Sequence, residues 1–172
     1  TASNGDKLQI KQTLKYAKAL ATAQRAKNKQ RVKAIHAKIK HTRQDLIHKF
    51  TTQLVKDNAL IVVGDVRTTQ FNSKKGKLAK SVYDAGWFEL KRQLTYKCEN
   101  AGCRFEIVNE KYTTQTCSCC GDMSSSPKGR AGLRIREWTC ATCGTRHDRD
   151  INASKNILAV GLNRLVEGIP SL

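Results

Sequence analysis

The 172-residue sequence lacks an uninterrupted apolar run of the ~18 residues needed to cross a membrane, so we expect no membrane-spanning segment. Its first residues, "TASNGDKLQI", lack the basic and apolar regions of a secretory signal peptide, and we expect none. They also lack an initiating Met, which predicts a piece of a longer chain. A cytoplasmic protein is therefore expected.

Acidic residues are scarce: 14 Asp and Glu stand against 32 Lys and Arg, giving a formal net charge of +18 and a pI near 9.9. Because so large an excess of one sign opposes compaction, a polyanionic partner such as DNA or RNA is expected. The alternative is a basic ribosomal or chromatin-like protein, which binds nucleic acid without catalysing a reaction.

Proline and glycine are absent from residues 11–57. Apolar residues recur there in three- and four-residue steps or their multiples, which predicts one buried helical face; they are Val32, Ile35, Ile39, Leu46, Phe50 and Leu54. A turn near residues 26–31 would make this region a helical hairpin. The basic side chains are either solvated or follow the phosphates of a nucleic acid, and the candidates for phosphate contact are Lys33, Lys38, Lys40 and Arg43.

A strand, a helix and a second strand are predicted over residues 59–66, 78–102 and 103–110. The first strand, "ALIVVGDV", has no polar alternation, which is typical of a strand buried on both faces. A crossover helix between two strands predicts that they run parallel. Functional groups gather beyond the carboxyl ends of parallel strands, here Gly64-Asp65 and Asn109-Glu110. Acidic and amide residues are also common in turns, so their position at the strand ends does not by itself distinguish a functional site from a turn.

Seven cysteines in a chain without export signals indicate metal binding in a reducing cytosol. Cys117, Cys120, Cys140 and Cys143 form two C-x2-C knuckles with the spacing of a zinc ribbon. Four thiolates leave no open coordination position, so we expect structural rather than catalytic Zn²⁺. Cys119 is expected to be a bystander, and Cys98 and Cys103 to be buried thiols. Basic residues between the knuckles are candidate nucleic-acid contacts: Arg130, Arg134 and Arg136.

A helix is predicted to begin near Asp150, shortly after the second knuckle. Aspartate at a helix start is ordinarily a cap that accepts backbone N–H bonds. Asp148 and Asp150 both suit that role, and both could instead bind a divalent metal ion. Trp87, Phe88 and Trp138 could stack on bases, but core packing is the preferred interpretation.

The order of "IVVGDV", "DAGWFELKRQL", "YTTQTCSCCG", "CATCG" and "HDRDINASKNIL" resembles the C-terminal half of the transposon-encoded TnpB/OrfB family. That family is similar to type V CRISPR effectors and has a RuvC-like nuclease domain with an inserted zinc ribbon. The resemblance implies an RNase H-like α/β fold with long basic helices. It also implies an RNA-guided DNA endonuclease of the prokaryotic cytosol or nucleoid, with DNA and guide RNA as partners. Members are often labelled transposases, but the implied chemistry is DNA cleavage with two Mg²⁺ ions held by carboxylates.

By this resemblance, Asp150 matches the third acidic motif, with Asn152 beside it. Two departures stand out. Nothing matches the Asp of the first motif, since Asp6 resembles a turn residue, and Gly64 occupies the position of the second-motif Glu. Because neighbouring strands lie about 4.8 Å apart, Glu110 at the next strand tip could replace that Glu. We prefer Glu110 to Asp65.

Without the first aspartate, and with an α/β sheet incomplete at its N-terminus, these residues alone are not expected to cut DNA. The expected division is a basic helical region with part of the α/β core in residues 1–112, a zinc ribbon in 113–146 and a completing helix in 147–172. The alternative is a catalytically inactive zinc-ribbon protein that binds DNA or RNA. No carboxylate arrangement matches a DDE-type transposase.

Overall fold

The computed structural model describes residues 1–8, 15–65, 86–124, 127, 132 and 134–167. The chain has two compact units, Leu8–Ala59 with Arg67–Arg104, and Thr1–Lys7 with Leu60–Val66 and Phe105–Leu172. The three-part division of the sequence stays a prediction. Within the described ranges, no helix has the length and apolar character to cross a membrane.

The described residues of the first unit form the helices α1 (Ala17–Arg25), α2 (Lys29–Asp57) and α3 (Trp87–Ala101). The turn between α1 and α2 confirms the predicted hairpin. It ends at Asn28, whose side chain caps α2 by accepting a 2.9 Å hydrogen bond from the backbone N–H of Arg31.

The buried face of α2 differs in part from the predicted one. Ile39, Ile47 and Thr51 are buried, along a row of residues four apart that helices use for packing. Leu46, predicted to be on this face, is only half-buried. The helix α3 packs on α2, and its Leu94 is buried.

Two glycines with positive φ flank α3. Gly102 (φ 67) ends the helix as predicted. Gly86 (φ 64) precedes the first residue, Trp87, whereas the sequence placed Gly86 inside a helix beginning at residue 78. The expected first part of that helix, residues 78–85, lies outside the described residues.

The strand β1 (Leu60–Gly64) pairs with β2 (Arg104–Val108). The Arg104 N–H donates to Ala59 O at 2.8 Å, and the Asp65 N–H donates to Val108 O at 2.7 Å. Because both partners advance together along the chain, the strands run parallel, as predicted. Their carboxyl ends therefore share one edge.

The long helix α4 (Arg149–Glu167) packs on β1. A Cβ at Gly161 would come within 2.7 Å of Val62 Cγ1, and one at Gly64 within 3.2 Å of Ile157 Cδ1. Gly161, later in the helix, meets Val62, earlier in the strand, whereas Ile157 meets Gly64. The helix and the strand therefore run antiparallel. Asp150 precedes Ile157 by seven residues, about 10 Å of helix rise. The start of α4 thus extends past the carboxyl end of β1.

A short antiparallel hairpin, β3 (Glu137–Thr139) and β4 (Arg146–Asp148), leads into α4. Trp138 pairs with His147 in its register, and β4 passes into α4 at Arg149 without a loop. The described residues thus form a mixed α/β protein in which the cysteine-bearing hairpin is continuous with the helix that carries Asp150.

Candidate functional site

Four cysteine sulfurs converge as predicted: those of Cys117, Cys120, Cys140 and Cys143 all lie within 4.8 Å of one another. Across the two knuckles, Cys117 Sγ is 3.7 Å from Cys143 Sγ, and Cys120 Sγ is 3.7 Å from Cys140 Sγ. Cys117 and Cys140 are buried, and the other two are exposed. The cluster could hold a metal ion.

The two knuckles fold by the same backbone pattern. In the first, the N–H of Gly121 donates to Cys117 O at 2.9 Å; in the second, the N–H of Gly144 donates to Cys140 O at 2.9 Å. Both glycines have positive φ, 79° and 71° respectively, a conformation that a residue without Cβ adopts at little cost. The repeated pattern explains why each cysteine pair is followed by glycine.

The thiolate of Cys143 is stabilised locally. The Thr145 hydroxyl lies 3.2 Å from Cys143 Sγ. Hydrogen bonds from the side chain and the backbone of Thr145 lower the pKa of Cys143 to about 6. A cysteine that ionises readily is suited to metal ligation, because the thiolate is the ligand form.

His147 is a neighbour of the cluster that sequence reasoning did not single out. Its Nε2 lies 3.0 Å from Cys117 Sγ. The His147 ring packs on Trp138 with centroids 4.7 Å apart, and both side chains are buried. Burial lowers the pKa of His147, so the neutral imidazole is favoured beside the sulfur. The core packing predicted for Trp138 is confirmed.

The remaining cysteines lie outside the cluster. Cys119 is exposed. Cys98 is buried as predicted, and burial raises its pKa to about 12. Cys103 is only half-buried, because it follows the end of α3 instead of lying within it. Phe88, the second residue of α3, is 77% exposed, so the expectation that it packs in the core was wrong.

The two aspartates at the start of α4 have different roles. Asp148 Oδ1 accepts 2.9 Å hydrogen bonds from the backbone N–H groups of Asp150 and Ile151, so Asp148 is the cap. The Ile151 N–H contributes most to lowering the pKa of Asp148. Asp150 makes no capping bond among the described contacts of this helix, and its carboxylate points to arginine side chains.

Two guanidinium groups contact the Asp150 carboxylate. Arg136 Nη1 lies 3.2 Å from Asp150 Oδ2, and Arg149 Nη2 lies 3.2 Å from Oδ1. Arg149 is fixed by a 3.1 Å hydrogen bond from its Nη1 to Gly132 O. Arg136, expected from the sequence to be a nucleic-acid contact, is two-thirds exposed and lies beside the predicted metal ligand.

The Glu110 side chain lies over Gly64. A Cβ built on Gly64 would be 2.5 Å from Glu110 Oε2 and 3.0 Å from Glu110 Cβ. The carboxylate of Glu110 therefore occupies space that a side chain at position 64 would fill. Asp65 is exposed. Asp6 lies in a turn, as predicted, where its backbone N–H donates to Asn4 Oδ1 at 3.0 Å.

Asn152 and Asn156 bind the chain segment that precedes the first knuckle. Asn152, 1% exposed, accepts from the Ser118 N–H at 2.9 Å and donates to Thr113 O and Thr116 O at 3.2 and 2.8 Å. Asn156 donates to the same two carbonyls at 2.9 and 2.7 Å. Asn152 was noted in the sequence only as a neighbour of Asp150, and Asn156 was missed, although both fall four residues apart on one helical face.

The other candidate nucleic-acid residues are distributed over both units. Lys33, Lys38 and Lys40 are exposed on α2, and Arg43 is half-buried there. Arg134 is exposed near the hairpin, and Arg130 lies outside the described residues. The α2 lysines thus provide a cationic helical surface in the first unit.

Two protein families match the chain. Residues 3–73 match OrfB_IS605, described as "Probable transposase". Residues 87–157 match the family described as "Cas12f1-like, TNB domain". The second match includes all four clustered cysteines and the start of α4.

Relatives and one solved structure agree with these matches. A "Putative RNA-guided DNA endonuclease" of Streptomyces pristinaespiralis is 40% identical over 146 residues, 84% of this chain and 35% of that protein. The "Putative RNA-guided DNA endonuclease InsQ" of Escherichia coli (strain K12) is 31% identical over 149 residues, 78% of this chain and 36% of that protein. The chain spans about a third of the length of these relatives.

The fold is shared with a chain from the "Cryo-EM structure of the Cas12f1-sgRNA-target DNA complex". The TM-score is 0.65 at 15% identity, and the match covers 87% of this chain and 42% of that one. Family matches and relatives agree: the chain is similar to proteins of the transposon-encoded TnpB/OrfB family.

Proposed function

We propose that these residues form the RuvC-like nuclease part of an RNA-guided DNA endonuclease, with Glu110 and Asp150 as ligands of catalytic Mg²⁺. The names of the relatives support the activity. The matched structure, a complex with guide RNA and target DNA, supports the partners. In such enzymes base pairing with the guide selects the target, while the protein contacts mainly backbone and shape.

The observation that carries the proposal is the Glu110 carboxylate lying over Gly64, 2.5 Å from where a Cβ would be. In the family, the second acidic motif has Glu at the position of Gly64. A glutamate arriving from the neighbouring parallel strand supplies its carboxylate to the same space. A side chain at position 64 would have to displace the Glu110 carboxylate and would crowd the Glu110 Cβ, so the glycine gives Glu110 this space.

Geometry supports Zn²⁺ as the ion of the cysteine cluster. Four thiolates around Zn²⁺ at about 2.3 Å form a tetrahedron with edges of about 3.8 Å. The two sulfur–sulfur distances across the knuckles are both 3.7 Å. We assign this ion a structural role, because four thiolates fill its coordination sphere.

In the proposed reaction, divalent metal ions supply charge stabilisation for an in-line phosphoryl displacement. Glu110 and Asp150 contribute anionic oxygens from the end of β2 and the start of α4. The exposed guanidinium of Arg136 lies next to Asp150. When a DNA phosphate enters, Arg136 can donate to it, because guanidinium groups match phosphate oxygens well. With Arg136 released, the Asp150 carboxylate would have oxygens that could hold a divalent metal ion.

The test moves the carboxylate from position 110 to position 64 in the protein at its full natural length. Glu110→Gly should reduce Mg²⁺-dependent cleavage of guide-matched DNA by about two to three orders of magnitude, as when one preorganised electrostatic group is removed. Adding Gly64→Glu to Glu110→Gly should restore part of the activity. The single change Gly64→Glu should push the Glu110 carboxylate out of its position and lower cleavage.

Asp65→Ala is the matched control, since Asp65 is an acidic residue adjacent to Gly64 but exposed. It should keep most of the activity. Full cleavage by Glu110→Gly, or loss of cleavage in Asp65→Ala alone, would show that Glu110 is not the ligand.

A second candidate is a catalytically inactive zinc-ribbon protein that binds DNA or RNA. The two arginines on Asp150 favour it, because they already neutralise that carboxylate. Guide-dependent binding without any Mg²⁺- or Mn²⁺-dependent cleavage at full length would decide for this candidate.

A further inference from the structure

Two hydrogen-bonding side chains of α4, the buried Asn152 and the half-buried Asn156, act on the same pair of carbonyl groups. Both amides donate to Thr113 O and Thr116 O, at distances between 2.7 and 3.2 Å. A carbonyl oxygen has two acceptor sites, so each can satisfy both donors. This doubled contact fastens the segment 113–116 to the first turns of α4.

The same segment is attached to Glu110. The Thr113 hydroxyl donates to Glu110 O at 2.8 Å, and the Thr113 backbone N–H donates to the same oxygen at 3.3 Å. A short chain of hydrogen bonds therefore runs from Glu110 through Thr113 to Asn152, two residues after Asp150.

Asn152 also reaches the cysteine cluster. Its Oδ1 accepts from the N–H of Ser118 at 2.9 Å, and Ser118 directly follows Cys117 in the first knuckle. With its amide donating to two carbonyls, Asn152 is buried without an unsatisfied polar atom. One side chain thus contacts both the knuckle and the turn that bears Glu110.

We propose that Asn152 and Asn156 are positioning residues that set the separation of Glu110 and Asp150 and connect it to the four-cysteine site. The inference rests on the proposed function, because it requires those carboxylates to share metal ions. Groups that orient metal ligands through hydrogen bonds commonly change metal affinity 10–100-fold when removed, which is about the effect expected here. A purely structural role would instead lower stability and leave the divalent-ion affinity of the folded protein unchanged.

The experiment compares Asn152→Ala, Asn156→Ala and the double variant in the protein at full natural length. Mn²⁺ binding is measured by electron paramagnetic resonance, without DNA. Asn152→Ala should weaken Mn²⁺ binding roughly tenfold. Asn156→Ala should weaken it only about two- to threefold, because Asn152 still donates to both carbonyls. Asn163→Ala is the matched control, an exposed asparagine on the same helix.

Occupancy of the cysteine cluster is followed separately by Co²⁺ absorption, which should stay unchanged in Asn156→Ala. If Asn152→Ala no longer gives the Co²⁺ spectrum, its cysteine cluster has been lost. The Mn²⁺ affinity of Asn156→Ala then tests the inference. Mn²⁺ affinity equal to wild type in a folded Asn156→Ala overturns the inference. Mn²⁺ affinity unaffected by Glu110→Gln and by Asp150→Asn would instead overturn the proposed nuclease site itself.

Discussion

Arg136 Nη1 lies 3.2 Å from the carboxylate of Asp150, so the helix start predicted to bind metal is held by a side chain from just before β3. The contact is partly exposed: two-thirds of the Arg136 side chain and 37% of the Asp150 side chain are accessible. Such pairs contribute little to stability. Their importance here is competition, since the positive guanidinium repels a divalent cation and takes acceptor sites of the carboxylate that the cation would use.

Arg136→Ala should therefore lower the Mg²⁺ concentration needed for half-maximal cleavage by roughly two- to fivefold, the range of an exposed ion pair. The same change should weaken DNA binding if Arg136 also contacts phosphate. Arg146→Ala is the control, because Arg146 pairs with Glu137 in the same hairpin. An Mg²⁺ requirement unchanged or raised in Arg136→Ala would contradict the competition.

Asp148→Ala should destabilise the protein by about 1 kcal/mol, the usual cost of losing a helix cap. Asp148→Asn should lose less at pH 7, because the amide oxygen still accepts the Ile151 and Asp150 N–H groups but without the charge of the carboxylate. Asp150→Ala should show no capping loss. Urea unfolding of the three variants measures these differences in the free energy of unfolding. If Asp150→Ala destabilises the protein as much as Asp148→Ala, the assignment of Asp148 alone as the cap is wrong.

Acid should remove the charge-dependent part of that stabilisation. The Ile151 N–H, and then the Asp150 N–H, lower the pKa of Asp148 in the folded protein. A depressed folded-state pKa stabilises above the unfolded-state value, about 3.9, and the contribution is lost as pH falls through the folded-state value. The stability difference between wild type and Asp148→Asn should therefore shrink in acid.

Removal of the metal should unfold the hairpin around the cysteine cluster. Its strands have three residues each, too few to hold it without the ~10–16 kcal/mol that structural Zn²⁺ can supply. Hydrogen exchange after chelation should show reduced protection at residues 116–148 and retained protection in α2. Cys143→Ala should lose the metal, while Cys119→Ala should keep it because Cys119 lies outside the cluster. Protection of the hairpin without metal would refute this expectation.

The α2 lysines should make nucleic-acid binding depend on salt. Replacing Lys33, Lys38 and Lys40 by Ala should reduce the slope of log K against log salt by about 0.7–0.9 for each phosphate that these lysines neutralise. Lys49→Ala is the control on the same helix, because Lys49 pairs with Asp45 at 2.8 Å. Fluorescence anisotropy over a salt series measures the slopes. Equal slopes for the triple variant and wild type would show that these α2 lysines do not neutralise nucleic-acid phosphates.

Local patterns predicted much of this fold. The knuckles follow from cysteine spacing and glycines that must adopt positive φ, and the parallel strands follow from an apolar run, a crossover and a second run. Packing partners could not be predicted in the same way. The helix α3 packs on α2, a helix about 50 residues earlier in the chain, and periodicity indicates which face of a helix is buried but not which element covers it.

The candidate site, too, could be predicted only in part from the sequence. Glu110 could be proposed because strand tips align, yet its contact with Gly64 required coordinates. Asp148 and Asp150 both suit a helix cap by composition, and only the backbone N–H directions separate them. Asn156 carries no signal by itself, since its role depends on two carbonyls about 40 residues earlier.

The direct passage from β4 into α4 leaves this part of the chain without a hinge. Asp148 both ends the strand and caps the helix, so neither neighbour can turn while the other stays still. Any displacement of the four-cysteine cluster, for example by bound nucleic acid, should therefore be transmitted to α4, which packs on β1 where Gly161 meets Val62.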